Sequence, residues 1–447
     1  MSELHILSGP GQDTAGFISS VLPKGPFRRI VIKPNWVKHQ EHPDFPIAAL
    51  VTNSGLIEQT IEACLHCYSE LEKITICDVP LQTCDWALLK QQTGLDALIK
   101  KYDERTKPVI RFLDLRRERW VLRDGFMELS SDEPGDPLGY AEVIVDEQSQ
   151  LEEISRNASS FRVSDYDPQE TVSQHCKGRH RYLIARTILE ADLCINMPKM
   201  KTHQKTGITG ALKNLVGING SKAHLVHHQL GFPSQGGDEF PENASRLFYY
   251  QARLREQLQK RSKLLFRLGK AGWETIKKMR KIRTVGTREN LAGNFYIGSG
   301  SWYGNDSIWR MVYDLNLILV QAAVTGGRLE GAPQRTVFSL MDGLTGGEGN
   351  GPLQPLAVTT NLLMASTNPF LVDFGMSKLM GFDWRKIRLL SNYQRYSDKR
   401  FLDFSPDQFR VHLNGAIHEN GLAAIPVAHR FIPAPSWKDH IELSPAS

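Results

Sequence analysis

The sequence predicts an α/β fold, a largely parallel sheet flanked by helices and interrupted by an inserted basic helical segment. Three features carry that reading. Short apolar, β-branched runs alternate with longer amphipathic stretches. Several runs end in a proline beside a charged or amide side chain. One stretch of helical periodicity is overwhelmingly basic.

Along the chain, the candidate strands are IVIKPNWV from Ile30, ITICDVP from Ile74, VIRFLDL from Val109, AEVIVD from Ala141, DLCINMP from Asp192, TVFSLMDGL from Thr336 and VTTNLLMAS from Val358. Helical spacing fills Leu56 to Leu71 and Asp85 to Lys100. In the first of these, Ile57, Ile61, Cys64 and Leu65 share a face. The CxxC of Cys64 and Cys67 therefore reads as helix cysteines rather than half of a metal knuckle, whose second half is missing. The exception to the alternation is Arg246 to Arg283, with about a dozen Lys and Arg against two acids. It reads as a helical hairpin inserted in the core fold, or as a basic surface for an anionic membrane face or a membrane-associated biosynthetic complex. The chain then divides into an α/β portion 1–240, the basic insertion 241–290, and 291–447, the remainder of the α/β fold with a glycine-rich acidic loop.

With 447 residues and 41% apolar content, the chain can bury a sizeable core, as two or three domains or as one large α/β domain with insertions. A net charge of +5 is too mild to call for nucleic acid, and the basic run lacks the interleaved aromatics of a stacking platform. No run of eighteen apolar residues and no signal-peptide pattern appears, and the six Cys fit a reducing compartment. A cytoplasmic protein is expected.

The chemistry gathers at the strand ends. IVIK runs into Lys33-Pro34-Asn35, ITIC into Asp78-Val79-Pro80, LCIN into Met197-Pro198-Lys199, and FSLM into Asp342-Gly343. Strand termination explains the prolines, which cannot extend a ladder. It does not explain the Lys, Asn and Asp beside them, and ligands of open α/β sheets bind outside the carboxyl ends of parallel strands. The stretch NMPKMKTHQKTGITGALKNLVGINGSKAHLVHH, Asn196 to His228, then supplies Lys199, Lys201, Thr202 and His203, and a helix start at Thr209 with Lys213 and Asn214 one turn on. Free N–H groups flanked by Lys suit a phosphate or carboxylate. His224, His227 and His228, followed by Asp238, offer imidazole and carboxylate ligands for a divalent metal, with Mg, Mn, Fe and Zn not distinguished. Without a metal, one imidazole serves as general acid or base. Ser301, Trp302 and Arg310 head a further amphipathic helix, in which Arg310 and Asp314 share a face. MDGLTGGEGNGP reads as a flexible loop whose Asp342 and Glu348 suit a hard cation or a lid, and it lacks the GKS or GKT of a Walker loop.

KPNWV, the Thr52-Asn53 pair, CDVP, NMPKMKTHQKTGITGALKNLVG, MDGLTGGEGNGP and ASTNPFLVDFGMSKLMG, in this order and over most of the chain, resemble the domain of unknown function 362 family. HLVHHQLGFPSQGGDEFP and SGSWYGNDSIWRMVYDLN look like the longer members that accompany bacterial polysaccharide and natural-product gene clusters. The resemblance implies no reaction. It implies a pattern containing Lys33, Asn35, Asp78, Lys199, Lys201, Thr202, His203, Lys213, Asn214, Asp342, Glu348 and Asp373. It also implies no iron–sulfur role, because the repeated CxxCxxC of cluster-bearing members is missing.

The leading expectation is a metal-dependent enzyme acting on a small anionic metabolite, phosphorylated, nucleotide-activated or carboxylated. Lys33, Asn35, Lys199, Thr202, Thr209, Lys213, Asn214, Ser301, Trp302 and Arg310 would bind substrate. His203, His227, His228, Lys201 and Asp78 would act in catalysis. His224, His227, His228, Asp238, Asp342, Glu348 and Asp373 would hold the metal. The reaction would be proton abstraction, hydrolysis or group transfer. The alternatives are a non-catalytic scaffold docking through Arg246 to Arg283 and an isomerase similar to nickel-dependent lactate racemases.

Overall fold

Each of the seven apolar runs becomes a strand, because successive side chains find apolar cover on opposite faces. Ile30, Ile32, Ile74, Ile76, Leu193 and Ile195 point into one core, while Val31, Cys77 and Cys194 point into the other. The computed structural model describes residues 3–257 and 298–444, apart from positions 10, 124, 125, 165, 248, 251, 252, 255 and 256.

The central sheet has eleven strands. In chain order they are β1 (Glu3–Ser8), β2 (Arg29–Pro34), β3 (Lys73–Asp78), β4 (Val109–Asp114), β5 (Leu193–Met197), β6 (Lys199–His203), β7 (Gly207–Ile208), β8 (Thr336–Asn350), β9 (Gln354–Ser366), β10 (Arg410–Leu413) and β11 (Ala416–His418). Their spatial order is β11-β10-β1-β9-β8-β5-β2-β3-β4, with β6 also on β8 and β7 on β6. The run β8-β5-β2-β3-β4 is parallel throughout. Antiparallel pairing is confined to β7, β9 and β11 within this sheet. Strands from 1–240 and 291–447 interleave, since β9 separates β8 from β1.

Helix α1 (Thr14–Val21), α2 (Ser54–Cys67), α3 (Trp86–Thr93) and α4 (Leu95–Asp103) cover one face. Asn53 and Asp85 accept from the first-turn N–H groups of α2 and α3 and fix where those helices begin. The other face is covered by α5 (Gly210–Asn214), α6 (Ile308–Gln321) and α7 (Pro369–Leu379). AEVIVD pairs instead in a separate small sheet, where Tyr140–Ile144 lies antiparallel to Arg179–Ala185.

Two local expectations change. The glycine-rich stretch is the far half of β8 rather than a loop, and its glycines serve close packing: a Cβ on Gly347 would lie 2.7 Å from the Ala49 carbonyl oxygen. Arg310 pairs with Asp306 at 3.0 Å and with Glu153, whereas Asp314 turns inward to Ser149 and to Tyr182. Asn305 caps α6 by accepting from Ile308 N at 3.0 Å. Of the basic segment, residues 258–283 lie outside those described, while Arg246 stacks on Phe232. Among the described residues, no helix is long and apolar enough to cross a membrane.

Candidate active site at the carboxyl edge of the sheet

β2, β3 and β5 end side by side, so Lys33, Asn35, Asp78 and Asn196 meet at one edge. Pro198 interrupts the ladder for one residue, and the chain continues as β6 along β8. Strand alternation puts Lys199, Lys201 and His203 on one face of β6.

Two of the lysines are paired. Lys33 Nζ lies 2.7 Å from Asp78 Oδ1, and the other Asp78 oxygen accepts from Trp36 N. Lys199 Nζ lies 2.8 Å from Asp342 Oδ2, which also accepts from Asn53 N. Gly217 makes the first pair possible, because a Cβ there would stand 2.0 Å from Asp78 Oδ1.

Three more buried lysines have no carboxylate at ion-pair distance among the described residues. Lys201 Nζ donates to Asn35 Oδ1 at 2.8 Å and to the Leu50 carbonyl at 2.6 Å. Asn35 is held by Asn214 and Asn214 by Asn196, an amide chain that locks Lys201 in place. Lys222 Nζ donates to the Val79 carbonyl at 3.1 Å. The Lys213 side chain, on α5, has no hydrogen-bond or ion-pair partner among the described residues. Burial, then the neighbouring Lys222, Lys205 and Lys33, bring its amine down to about 7. Burial likewise lowers Lys222 to about 8 and Lys201 well below its ordinary value.

These groups line a cavity of about 380 Å³ together with His203, His227, Thr209, Lys205 and Tyr166. The two imidazoles have opposite hydrogen placements. His227 Nδ1 lies 2.6 Å from the Leu225 carbonyl oxygen, which can only accept, so Nε2 is the bare nitrogen. His203 Nδ1 accepts from Lys205 N at 3.0 Å, so its Nε2 carries the hydrogen. Burial and the surrounding lysines hold both rings neutral, well below the usual histidine range. Thr209 Oγ1 is buried with no partner. One bare imidazole nitrogen and one imidazole N–H thus share the cavity with a cluster of lysines.

Of the substrate and catalytic candidates, Asn35, Asp78, Lys201, His203, Thr209, Lys213, Asn214 and His227 line the cavity. Lys33 and Lys199 stand behind it in their ion pairs, and Thr202 donates to the Gly349 carbonyl. Ser301, Trp302, Arg310 and His228 do not line it; Trp302 Nε1 donates to the Asp238 carbonyl instead. The helix start is not an open anion site, because Asp373 accepts from Ala211 N and, at 3.1 Å, from Leu212 N. Lys205 and Lys222 were not singled out from the sequence, although the density of Lys in this stretch was the signal that they belonged there.

The proposed metal ligands do not fit a metal site. Asp238 spends its oxygens on Gln229 N, Asp306 N and Ser307, and Asp342 is engaged by Lys199. Glu348 accepts from Ile432 N, and Asp373 caps α5. None of these carboxylates lines the cavity with His227, nor do His224 and His228, and among the described residues no three of the seven candidates bring ligand atoms within 4.8 Å of one another.

Residues 132–378, more than half of the chain, match the family described as a domain of unknown function (DUF362), and the chain belongs to that family. The match contains Lys199 to Asp373, whereas Lys33, Asn35 and Asp78 precede it. No curated protein matches. A crystal structure of a protein from Thermotoga maritima aligns with a TM-score of 0.33 at 10% identity, covering 81% of this chain and 57% of that one.

Proposed function

We propose that this member of the domain of unknown function 362 family is an enzyme that binds a small anionic metabolite and moves a proton on it. The single observation that carries the proposal is the convergence of Lys201, Lys213 and Lys222, none with a carboxylate partner, on one cavity with two neutral imidazoles. Buried unpaired cations are unfavourable, and an anion in the cavity relieves that penalty. The phosphate or carboxylate of the substrate takes the lysines. His227 Nε2 removes a proton, while the His203 N–H stabilises negative charge developing on an oxygen. The apolar lining, with Val37, Leu81 and Val216, takes a carbon body beside the anionic head.

The test uses inorganic phosphate as the probe. At a hundredfold excess over its Kd, phosphate should stabilise the protein by about 2.7 kcal/mol, and Lys201→Met should weaken its binding by at least about tenfold. His227→Gln should leave phosphate binding intact while abolishing exchange of substrate protons with deuterated solvent. Phosphate that gives no stabilisation, or the same stabilisation in Lys201→Met, would remove the reading.

A further inference from the structure

Lys201 and Lys222 are anchored by acceptors that aim them, as befits cations placed to grip an anion. Lys213 differs. Its side chain is nine-tenths buried, lines the same cavity and, among the described residues, has neither an anchor nor a counter-charge. Thr209, one helical turn earlier, also lines the cavity with its buried hydroxyl unpartnered. A lysine meant only for charge would be expected to hold a fixed hydrogen bond, as its two neighbours do. An amine left free in a cavity suits attack on carbon.

We infer that the Lys213 amine forms an imine with the carbonyl carbon of its substrate, so that the substrate is a small aldehyde or ketone bearing a carboxylate or phosphate. The inference rests on the anion-binding reading of the cavity. The amine nitrogen bonds to the carbonyl carbon and gives up a proton to His227 Nε2. The carbonyl oxygen takes a proton from solvent and becomes the hydroxyl of a carbinolamine in the cavity that the His203 N–H also lines. That hydroxyl then leaves as water with the proton that His227 Nε2 took from the amine, so the imidazole is neutral again, and the C=N bond forms with the nitrogen keeping its second hydrogen. Amine, carbonyl and one proton from solvent become a protonated imine and water, with no oxidant or reductant involved. The protonated imine draws electrons from the adjacent C–H bond, which makes proton abstraction by His227 feasible at neutral pH. The same burial and cationic surroundings that lower the Lys213 amine keep a large share of it neutral and nucleophilic.

The experiment is reductive trapping of the full-length protein with borohydride in the presence of glyoxylate or glycolaldehyde phosphate, the two probes separating the carboxylate and phosphate classes. Proteolysis and mass spectrometry then locate the adduct. Lys213 should be labelled at least about tenfold faster than any other lysine, with excess inorganic phosphate slowing the labelling. Lys213→Arg, which keeps the charge but cannot form an imine, should lose the adduct. Phosphate binding without preferential labelling of Lys213 by either probe would overturn the imine and leave the anion site standing. Neither binding nor labelling would overturn both. Equal labelling of the wild type and Lys213→Arg would also overturn the imine.

Discussion

Lys33 and Lys199 hold carboxylates at 2.7 and 2.8 Å, whereas Lys201, Lys213 and Lys222, also buried, hold none among the described residues. The paired set belongs to the scaffold: each bridges neighbouring strands and its carboxylate is saturated by backbone N–H groups. The unpaired set has no counter-ion, and its amines are held by amide and carbonyl anchors or, at Lys213, by nothing. The difference teaches that lysine content alone does not mark an anion site. What marks it is which lysines the fold leaves without a counter-ion.

The comparison is broken most severely by stranding a paired lysine. Asp342→Asn leaves Lys199 buried and uncompensated, and denaturant titration should show a loss of about 3–5 kcal/mol. A loss below about 1 kcal/mol would mean that the pair is not structural.

Lys213→Met should act in the opposite direction, stabilising by ~3–4 kcal/mol at pH 7, because a folded amine at about 7 faces an unfolded one near 10.4. Between those two values the unfolded chain binds the extra proton, so wild-type stability rises with pH relative to the variant. The gap between the two proteins should therefore be widest at and below pH 7 and close above about pH 10.5. A gap that does not change with pH would place the amine in solvent.

Gly217→Ala should cost about 1–3 kcal/mol by driving a methyl against Asp78 and Lys33. It should also weaken phosphate binding, since the same pair backs the cavity wall. As a baseline, Lys90→Ala breaks a surface pair with Asp96 and should change stability by no more than about 0.5 kcal/mol. A larger effect there would blur the distinction between buried and exposed charge on which the comparison depends.

Much of the fold was legible because strand signals are local. β-branched runs such as ITIC and LCIN alternate their side chains whatever surrounds them, and Pro80 and Pro198 follow their ends. The glycine-rich stretch was misleading for a physical reason. Glycine permits a flexible loop and a closely packed strand alike, and only the approach of Ala49 and Phe431 selects the strand. The candidate carboxylates misled similarly, because a free acid and a capping acid look identical in one dimension. Asp373 is a cap only because α7 lies against α5.

By itself, the sequence determined the α/β class, the strand ends and the stretch that carries the cations, since each rests on residues near one another in the chain. The tertiary structure alone decided which lysines are neutralised, which way each imidazole is turned and that the carboxylates lie elsewhere. Those outcomes are set by pairings such as Lys199 with Asp342 and Ala211 with Asp373, across 143 and 162 residues. Charge compensation acts through space at a few ångströms, a distance that sequence separation does not encode.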